Sequence, residues 1–313
     1  MIRIALTILF IVIANKSLSA GDVANLAHYF RPFPVLLSLF FGCASLWCQI
    51  KRWQIILRYQ GLPSRFGLAA KTLLLGILLA FVTPGRSGEF FRALALGRGN
   101  RADTVFAVII DKMFIILATF VIGIACAVIQ TIIIRVPLPR HVLLMSVTAA
   151  AVCAVVITFF ALKRRSPAQG RVQRIFFRIL NQSPKLLSRS GRHAVALSFA
   201  AQILLICQTV VLVRMFGCVS TRRTFIGIGQ AYAFMAFMPI FIANIGIREY
   251  SFAVFLQNIG CACPPPLSMQ GLSLGVSMGI LVMNLIMPAL AGLIWNIAGT
   301  PMHEFHSGIR YRG

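Results

Sequence analysis

Apolar runs of about 20 residues, separated by short polar and basic stretches, recur along the chain. A run of this length crosses a hydrocarbon core of about 30 Å as one α-helix. The pattern therefore predicts an all-α polytopic membrane protein with about six transmembrane helices. The predicted spans cover about residues 2–20, 33–50, 104–130, 141–162, 193–214 and 268–298. We interpret Met1–Ala20 as an uncleaved first span, although its end resembles a signal-peptide cleavage site.

Two further apolar runs are interrupted by polar and helix-breaking residues. The first covers Phe66–Val82 and stops at Thr83–Gly88, after which a short helix is predicted to resume at Glu89. The second covers Phe225–Ala243 and breaks at Asn244. Interrupted backbone at membrane depth is stable only where it is buried in protein or lines a wet cavity. We therefore predict two re-entrant broken-helix segments, at 66–97 and 225–258.

The two interruptions resemble each other at an offset of 160 residues. Phe81–Ala93 lies over Phe241–Ala253, and both contain an apolar run, a Pro or Gly break, an Arg and then a Glu. Three predicted spans separate them, so they would enter the membrane from opposite faces. This predicts an inverted repeat; chance similarity between apolar stretches is the alternative. The predicted organisation is one membrane domain over 1–313, with repeats at 51–130 and 215–298.

Charge distribution predicts the orientation of the chain. The loop 163–192 contains nine Lys or Arg and no acid, and 51–65 is also basic, so both should be cytoplasmic. Six spans then place both termini in the cytoplasm, with the chain in the inner membrane. The basic residues of 214–223 argue against this topology.

Composition supports a membrane location and argues against a nucleic-acid partner. Hydrophobic residues make up 59% of the 313 residues and charged residues 12%, and the formal net charge is +24. A soluble domain contains about 25% charged residues. No soluble module remains to present a basic face to nucleic acid, so we assign the positive charge to membrane orientation and anionic headgroups.

The residues at the two interruptions are typical of an anion-binding site. Arginines can bind phosphate oxygens, and free amides at helix N-termini can do the same. Acids in apolar sequence need partners: we expect Glu89 to pair with Arg86 or Arg92, and Asp111 with an arginine from elsewhere. The alternatives are loop turns with ordinary positive-inside arginines and purely structural ion pairs. The predicted binding residues are Arg86, Ser87, Gly88, Glu89, Arg92, Asp111, Lys112, Asn244, Gly246, Arg248 and Glu249.

These motifs resemble a known family, and they do so over nearly the whole chain. The segments Lys51–Leu57, Pro84–Arg92, Asp111-Lys112 and Asn244–Glu249 are similar to the flippase-like membrane domain of lysylphosphatidylglycerol synthases and their stand-alone relatives. That resemblance implies translocation of a lipid with a charged headgroup. It also implies no synthase activity, because the soluble aminoacyl-transferase domain is not in the sequence. Lys112 stands where the family often has Arg, which keeps the charge but not the planar fork.

We therefore expect a lipid flippase or scramblase-like transporter rather than an enzyme. No Walker lysine motif is visible, so movement should be passive or ion-coupled, without a cofactor or metal. The expected partners are membrane lipids with anionic headgroups, and the sequence is compatible with a homodimer and with binding to lipid-biosynthesis enzymes. Two alternatives stay open: a membrane-embedded lipid or polyprenyl transferase, with Glu89 or Asp111 as general base, and a non-catalytic partner of a lipid-modifying enzyme.

Overall fold

The computed structural model describes residues 29, 31–92, 96, 101–136, 189–218, 220–237, 246–261 and 268–298, and these residues are helical apart from short connections. We number the α-helices in chain order. They are α1 (Pro32–Tyr59), α2 (Phe66–Val82), α3 (Arg101–Ile129), α4 (Arg189–Met215), α5 (Thr221–Phe237), α6 (Ile247–Asn258), α7 (Met269–Leu281) and α8 (Met287–Ala298). A 3₁₀ helix covers Pro84–Phe91, and π-helical turns cover Gln130–Ile134 and Val282–Ile286.

The all-α polytopic fold class is confirmed. Among the described residues, four helices are long and apolar enough to cross a membrane: Pro32–Tyr59, Asp103–Ile134, Ser190–Met215 and Met269–Trp295. They correspond to the predicted spans 33–50, 104–130, 193–214 and 268–298. The predicted spans 2–20 and 141–162 lie outside the described residues, as does 163–188 of the basic loop. Several apolar helices in one chain identify a multi-pass membrane protein.

The prediction of a basic loop from Lys51 to Arg65 was wrong for its first half. Helix α1 continues without a break to Tyr59. Trp53, Ile56 and Leu57 are buried at helical spacing on the side that packs into the protein, so apolar burial extends the helix past the charges. Arg52 is buried with them and is only 1% exposed.

The chain reverses at Thr83, where α2 ends and the 3₁₀ helix begins. The Thr83 hydroxyl donates to the carbonyl of Leu79 (2.8 Å) and accepts the Gly88 N–H (2.6 Å). Gly88 lies so close to Leu79 that a Cβ on it would be 2.2 Å from that carbonyl. The turn was predicted at this place, but the short helix starts at Pro84 rather than at Glu89, because the Thr83 hydroxyl already completes the reversal.

The helices follow the same order in both halves of the chain and pack reciprocally. Among the described helices, α1 and α4 come first in the two halves and pack along each other. Each is followed by a helix that packs against the next short helix, α2 on the 3₁₀ helix and α5 on α6. Helices of each half also pack on helices of the other half: α5 packs on α3, and α2 packs on α8. The repeat bounds 51–130 and 215–298 stay predictions.

A disulfide joins Cys218, after α4, to Cys261, after α6. It ties the connection between α4 and α5 to the end of α6, beside a core that includes Phe216, Phe255 and Leu256. The bond links positions 43 residues apart in the sequence.

We expect the close approach at Gly88 to be sensitive to a single methyl group. Gly88→Ala should lower stability by about 1–3 kcal/mol, because the Leu79 carbonyl must move away. Gly67→Ala is the matched control in α2, since nothing lies within 4 Å of a Cβ at Gly67. Thermal unfolding in detergent measures both, and equal midpoints for the two variants would contradict this packing.

Candidate functional site

A carboxylate fully buried in helix α3 joins two arginines from other segments. Asp111 is 0% exposed. Its Oδ1 accepts from the Arg52 Nε of α1 at 2.7 Å, and its Oδ2 accepts from the Arg92 Nη1 after the 3₁₀ helix at 3.0 Å. The prediction that Asp111 pairs with an arginine from elsewhere is confirmed. Asp111 therefore links α1, α3 and the 3₁₀ helix through charge-assisted hydrogen bonds.

The guanidinium of Arg92 is held on several sides. Its Nη2 donates to Glu89 Oε2 at 2.6 Å and its Nε donates to the Glu89 carbonyl at 3.2 Å. Its Cζ lies 5.0 Å from the centre of the Trp53 ring, a cation–π distance. Gly76 leaves room for it, because a Cβ there would be 3.1 Å from the Arg92 Nε. The predicted pairing of Glu89 with Arg92 is confirmed.

Lys112 completes the group by pairing with Glu89 Oε2. We call the five side chains the cationic cluster: Arg52, Glu89, Arg92, Asp111 and Lys112. Three cations face two carboxylates, which leaves a net charge of +1. Burying ions costs several kcal/mol each unless they are paired, and the four buried members of the cluster are paired with one another, whereas the Lys112 side chain is 28% exposed.

One nitrogen of the Arg52 guanidinium makes no hydrogen bond with the described residues. Its Nε binds Asp111 and its Nη1 lies 3.5 Å from the hydroxyl of Ser198 in α4. Its Nη2 is buried and has no hydrogen-bond partner among the described residues. A buried charged donor without a partner is costly to the folded protein. Arg52 was not among the predicted binding residues.

The cationic cluster opens into a cavity of about 380 Å³ between α1, α2, α3, α4 and the π-helical turn before α8. All five cluster residues line it. One part of the wall is apolar and includes Leu39, Leu46, Leu73, Ile77, Ile115 and Leu205. Another part is polar but uncharged, with Ser45, Gln49, Ser198, Gln202 and Asn284. The cavity can hold a charged group at one end, beside both apolar and hydrogen-bonding surfaces.

The second interruption forms a separate, smaller group. Glu249 Oε1 accepts from the hydroxyl of Ser277 in α7, and that hydroxyl accepts from the Arg248 Nε at 2.6 Å. Glu249 Oε2 accepts the N–H of Gly246, the residue that caps α6, at 2.5 Å. Gly246 has φ +88°, a backbone conformation that glycine adopts readily. Arg248, Glu249 and Ser277 do not line the cavity described above.

Two amides at the breaks are already hydrogen-bonded within the protein, so these two are not free to bind phosphate. The Gly88 N–H donates to Thr83 and the Gly246 N–H donates to Glu249. In each case a nearby side-chain oxygen satisfies the amide, which is the usual role of a helix cap.

The predicted binding residues therefore fall into four groups. Glu89, Arg92, Asp111 and Lys112 meet in the cationic cluster, and Gly246, Arg248 and Glu249 meet at the start of α6. Gly88 packs against Leu79 and Thr83 at the end of α2. Asn244 and the side chains of Arg86 and Ser87 lie outside the described residues. The role of all of them in binding a substrate stays a prediction.

Comparison with known proteins identifies one family. A family model described as the lysylphosphatidylglycerol synthase TM region matches residues 1–264. No curated protein and no solved structure matches the chain in the corresponding comparisons.

Removing the central carboxylate should be far more damaging than removing another acid of the same helix. Asp111→Ala leaves two buried arginines without their shared partner and should cost about 3–5 kcal/mol. Asp103→Ala, in the first turn of α3, removes an acid outside the cluster and should cost about 1 kcal/mol or less. Chemical unfolding in detergent compares the two, and similar losses would show that the cluster does not organise the fold.

Proposed function

The chain belongs to the lysylphosphatidylglycerol synthase TM region family, and we propose that it moves a lipid with an anionic headgroup between the two membrane leaflets. The family membership supports a lipid-related function in the membrane. The positive charge of the cationic cluster is the argument for an anionic headgroup. The cavity is the argument that this headgroup passes through the protein. We place the chain in the inner membrane, with both termini in the cytoplasm, as the basic loops predict.

The observation that carries the proposal is the unused Nη2 of Arg52 in a buried cluster of net charge +1. A buried guanidinium nitrogen without a hydrogen-bond partner is costly, which favours a ligand that accepts from it. A phosphate at the Arg52 end of the cavity would neutralise the excess charge and accept from the free nitrogen. An arginine fork suits phosphate oxygens in particular.

The size of the cavity favours a headgroup over a whole lipid. Cavities of about 300–1,000 Å³ hold drug-sized ligands, so a volume of about 380 Å³ accommodates a phosphate and a small head but not two acyl chains. The chains would stay in the bilayer while the head moves through the protein. The apolar part of the wall, with Leu39 and Leu205, would contact the lipid next to its head.

The length of the cavity also favours movement across the membrane. Its lining extends along α1 from Leu39 to Arg52, which is about 20 Å at 1.5 Å per residue. The hydrocarbon core is about 30 Å thick, so the cavity covers much of that distance. The reciprocal packing of the two halves supports the predicted inverted repeat with two re-entrant segments, an architecture in which one half moves against the other around a central site.

The structure offers less support for a transferase. The carboxylates proposed as general base, Glu89 and Asp111, each accept from two cationic side chains. A general base must instead face the proton that it removes. We therefore assign these carboxylates to positioning Arg52, Arg92 and Lys112.

Transfer of fluorescent phosphatidylglycerol between leaflets of reconstituted vesicles tests the proposal. The wild-type protein should accelerate transfer over protein-free vesicles, and Arg52→Gln should slow it by about tenfold or more, since hydrogen bonds to a charged group contribute about 1.5–3 kcal/mol. Arg52→Lys should give an intermediate rate, because it keeps the charge that pairs with Asp111 but loses Nη2.

Arg58→Gln is the matched control, since Arg58 lies on the same helix and is exposed. It should transfer lipid at the wild-type rate. Size-exclusion profiles show whether each variant is folded. A wild-type rate equal to that of empty vesicles, or a folded Arg52→Gln variant with the wild-type rate, would overturn the proposal.

A further inference from the structure

We infer that Cys218 and Cys261 are substrates of an extracytoplasmic thiol oxidase, that the edge where they lie faces that side of the membrane, and that their bond holds α6 in place. This assignment is independent of the proposed lipid transport. It starts from the disulfide that joins the connection after α4 to the end of α6. Disulfides form and persist in oxidising compartments and are rare in the cytoplasm, so the bond specifies a compartment.

The pairing of the two cysteines is compatible with the backbone. Their Cα atoms are 6.1 Å apart, within the usual range for a disulfide. Cys218 is 2% exposed and Cys261 is 6% exposed, and both lie in the core that includes Phe216 and Leu256. A thiol or a disulfide exchanges only where its reaction partner can reach it. The bond therefore forms before α6 has packed on the rest of the protein, and it is then protected from reductants.

Two successive exchange reactions make such a bond. The thiolate of one cysteine attacks a disulfide sulfur of the oxidase, which forms a mixed disulfide and releases one oxidase thiolate. The thiolate of the other cysteine then attacks the sulfur of the first, which forms the intramolecular bond and releases the second oxidase thiolate. The two cysteine thiols lose two protons and two electrons, and the oxidase disulfide is reduced to a dithiol.

Helix α4 gives independent support for this orientation. Its apolar segment Ser190–Met215 is long enough to cross a membrane as one helix. The basic loop that precedes it is predicted to be cytoplasmic because of its charge. The chain that follows it, with Cys218, then emerges on the opposite side. The charge of the loop and the oxidation of the cysteines therefore indicate the same orientation.

The basic residues that argued against the predicted topology are compatible with this orientation. Arg214, Arg222 and Arg223 flank the first cysteine of the pair, and all three are exposed. Arg223 reaches the end of α6, since a Cβ on Gly260 would be 3.3 Å from its Nη1. A cation is favourable at a helix C-terminus, so Arg223 has a packing role at this edge. The nine basic residues of 163–192 outnumber these three and set the orientation.

Mass spectrometry of protein alkylated in intact cells tests the oxidation. In a bacterial expression host, peptides joined through Cys218 and Cys261 should account for most of these two residues. In a host without its periplasmic thiol oxidase, the joined fraction should fall severalfold. Two free thiols in the ordinary host, a bond from Cys218 to Cys263, or an equal joined fraction without the oxidase would overturn the inference.

Labelling of introduced cysteines tests the orientation without the bond. Ser190 at the start of α4 and Ser220 after its end are both exposed, so they are matched sites. In the Cys218→Ser/Cys261→Ser background, a membrane-impermeant maleimide should label Ser220→Cys in intact spheroplasts, above the level of the background variant. It should label Ser190→Cys only after the membrane is permeabilised. Labelling of Ser220→Cys that requires permeabilisation, or labelling of Ser190→Cys that does not, would place this edge on the wrong side.

Thermal unfolding in detergent tests whether the bond holds α6. It links positions 43 residues apart, so Cys218→Ser/Cys261→Ser should lower the unfolding midpoint by about 5–10 °C. A reductant present during unfolding should lower the wild-type midpoint towards that of the double variant and leave the double variant unchanged. Cys43→Ser is the control, because Cys43 is an exposed free cysteine, and its midpoint should match the wild type. Equal midpoints of the wild type and the double variant would contradict this role of the bond.

Discussion

The structure depends on one buried carboxylate. It is the hydrogen-bond partner of two arginines at a position where water is not available to solvate them. Asp111 joins Arg52 of α1 to Arg92 after the 3₁₀ helix, and a buried guanidinium without an anionic partner would strongly destabilise the fold. The supporting residues follow from that constraint. Gly76 makes space for Arg92, and the ring of Trp53 covers it. The turn at Thr83 brings Arg92 back over α2. This reversal of the backbone positions the Arg92 guanidinium next to Asp111.

The same arrangement explains how the protein could act on a lipid. A balanced ion-pair network would only stabilise the fold, whereas this one keeps a net positive charge and an unused nitrogen beside a cavity. The cavity is lined by α1 and α4, which pack on each other and come from the two halves of the described chain. A headgroup bound there would contact both halves at once. Its binding would therefore couple to any movement of one half against the other.

The fold class and much of the charged site could be predicted from the sequence, because long apolar runs and rare acids within them have few physical explanations. The pairing of Glu89 with Arg92 followed from their spacing of three residues. Arg52 was missed because Lys51, Arg58 and Arg65 nearby made the stretch resemble a cytoplasmic loop; the apolar spacing of Trp53, Ile56 and Leu57 was the signal of a continuing helix. Carboxamides such as Gln202 gave no sequence signal, because only the packing of α4 shows that they face a cavity. The predicted cap at Gly246 is present, but the amides of Gly88 and Gly246 are not free, since neighbouring side-chain oxygens bind them.

An experimental structure of the protein in a bilayer that contains phosphatidylglycerol would test the central claim most directly. The account predicts density for a headgroup in the cavity, with a phosphate oxygen about 2.7–2.9 Å from the Arg52 Nη2. It also predicts that Asp111 still joins Arg52 and Arg92 in that state. A cavity filled by protein side chains, with the Arg52 Nη2 bound to one of them and the lipid heads outside, would contradict it.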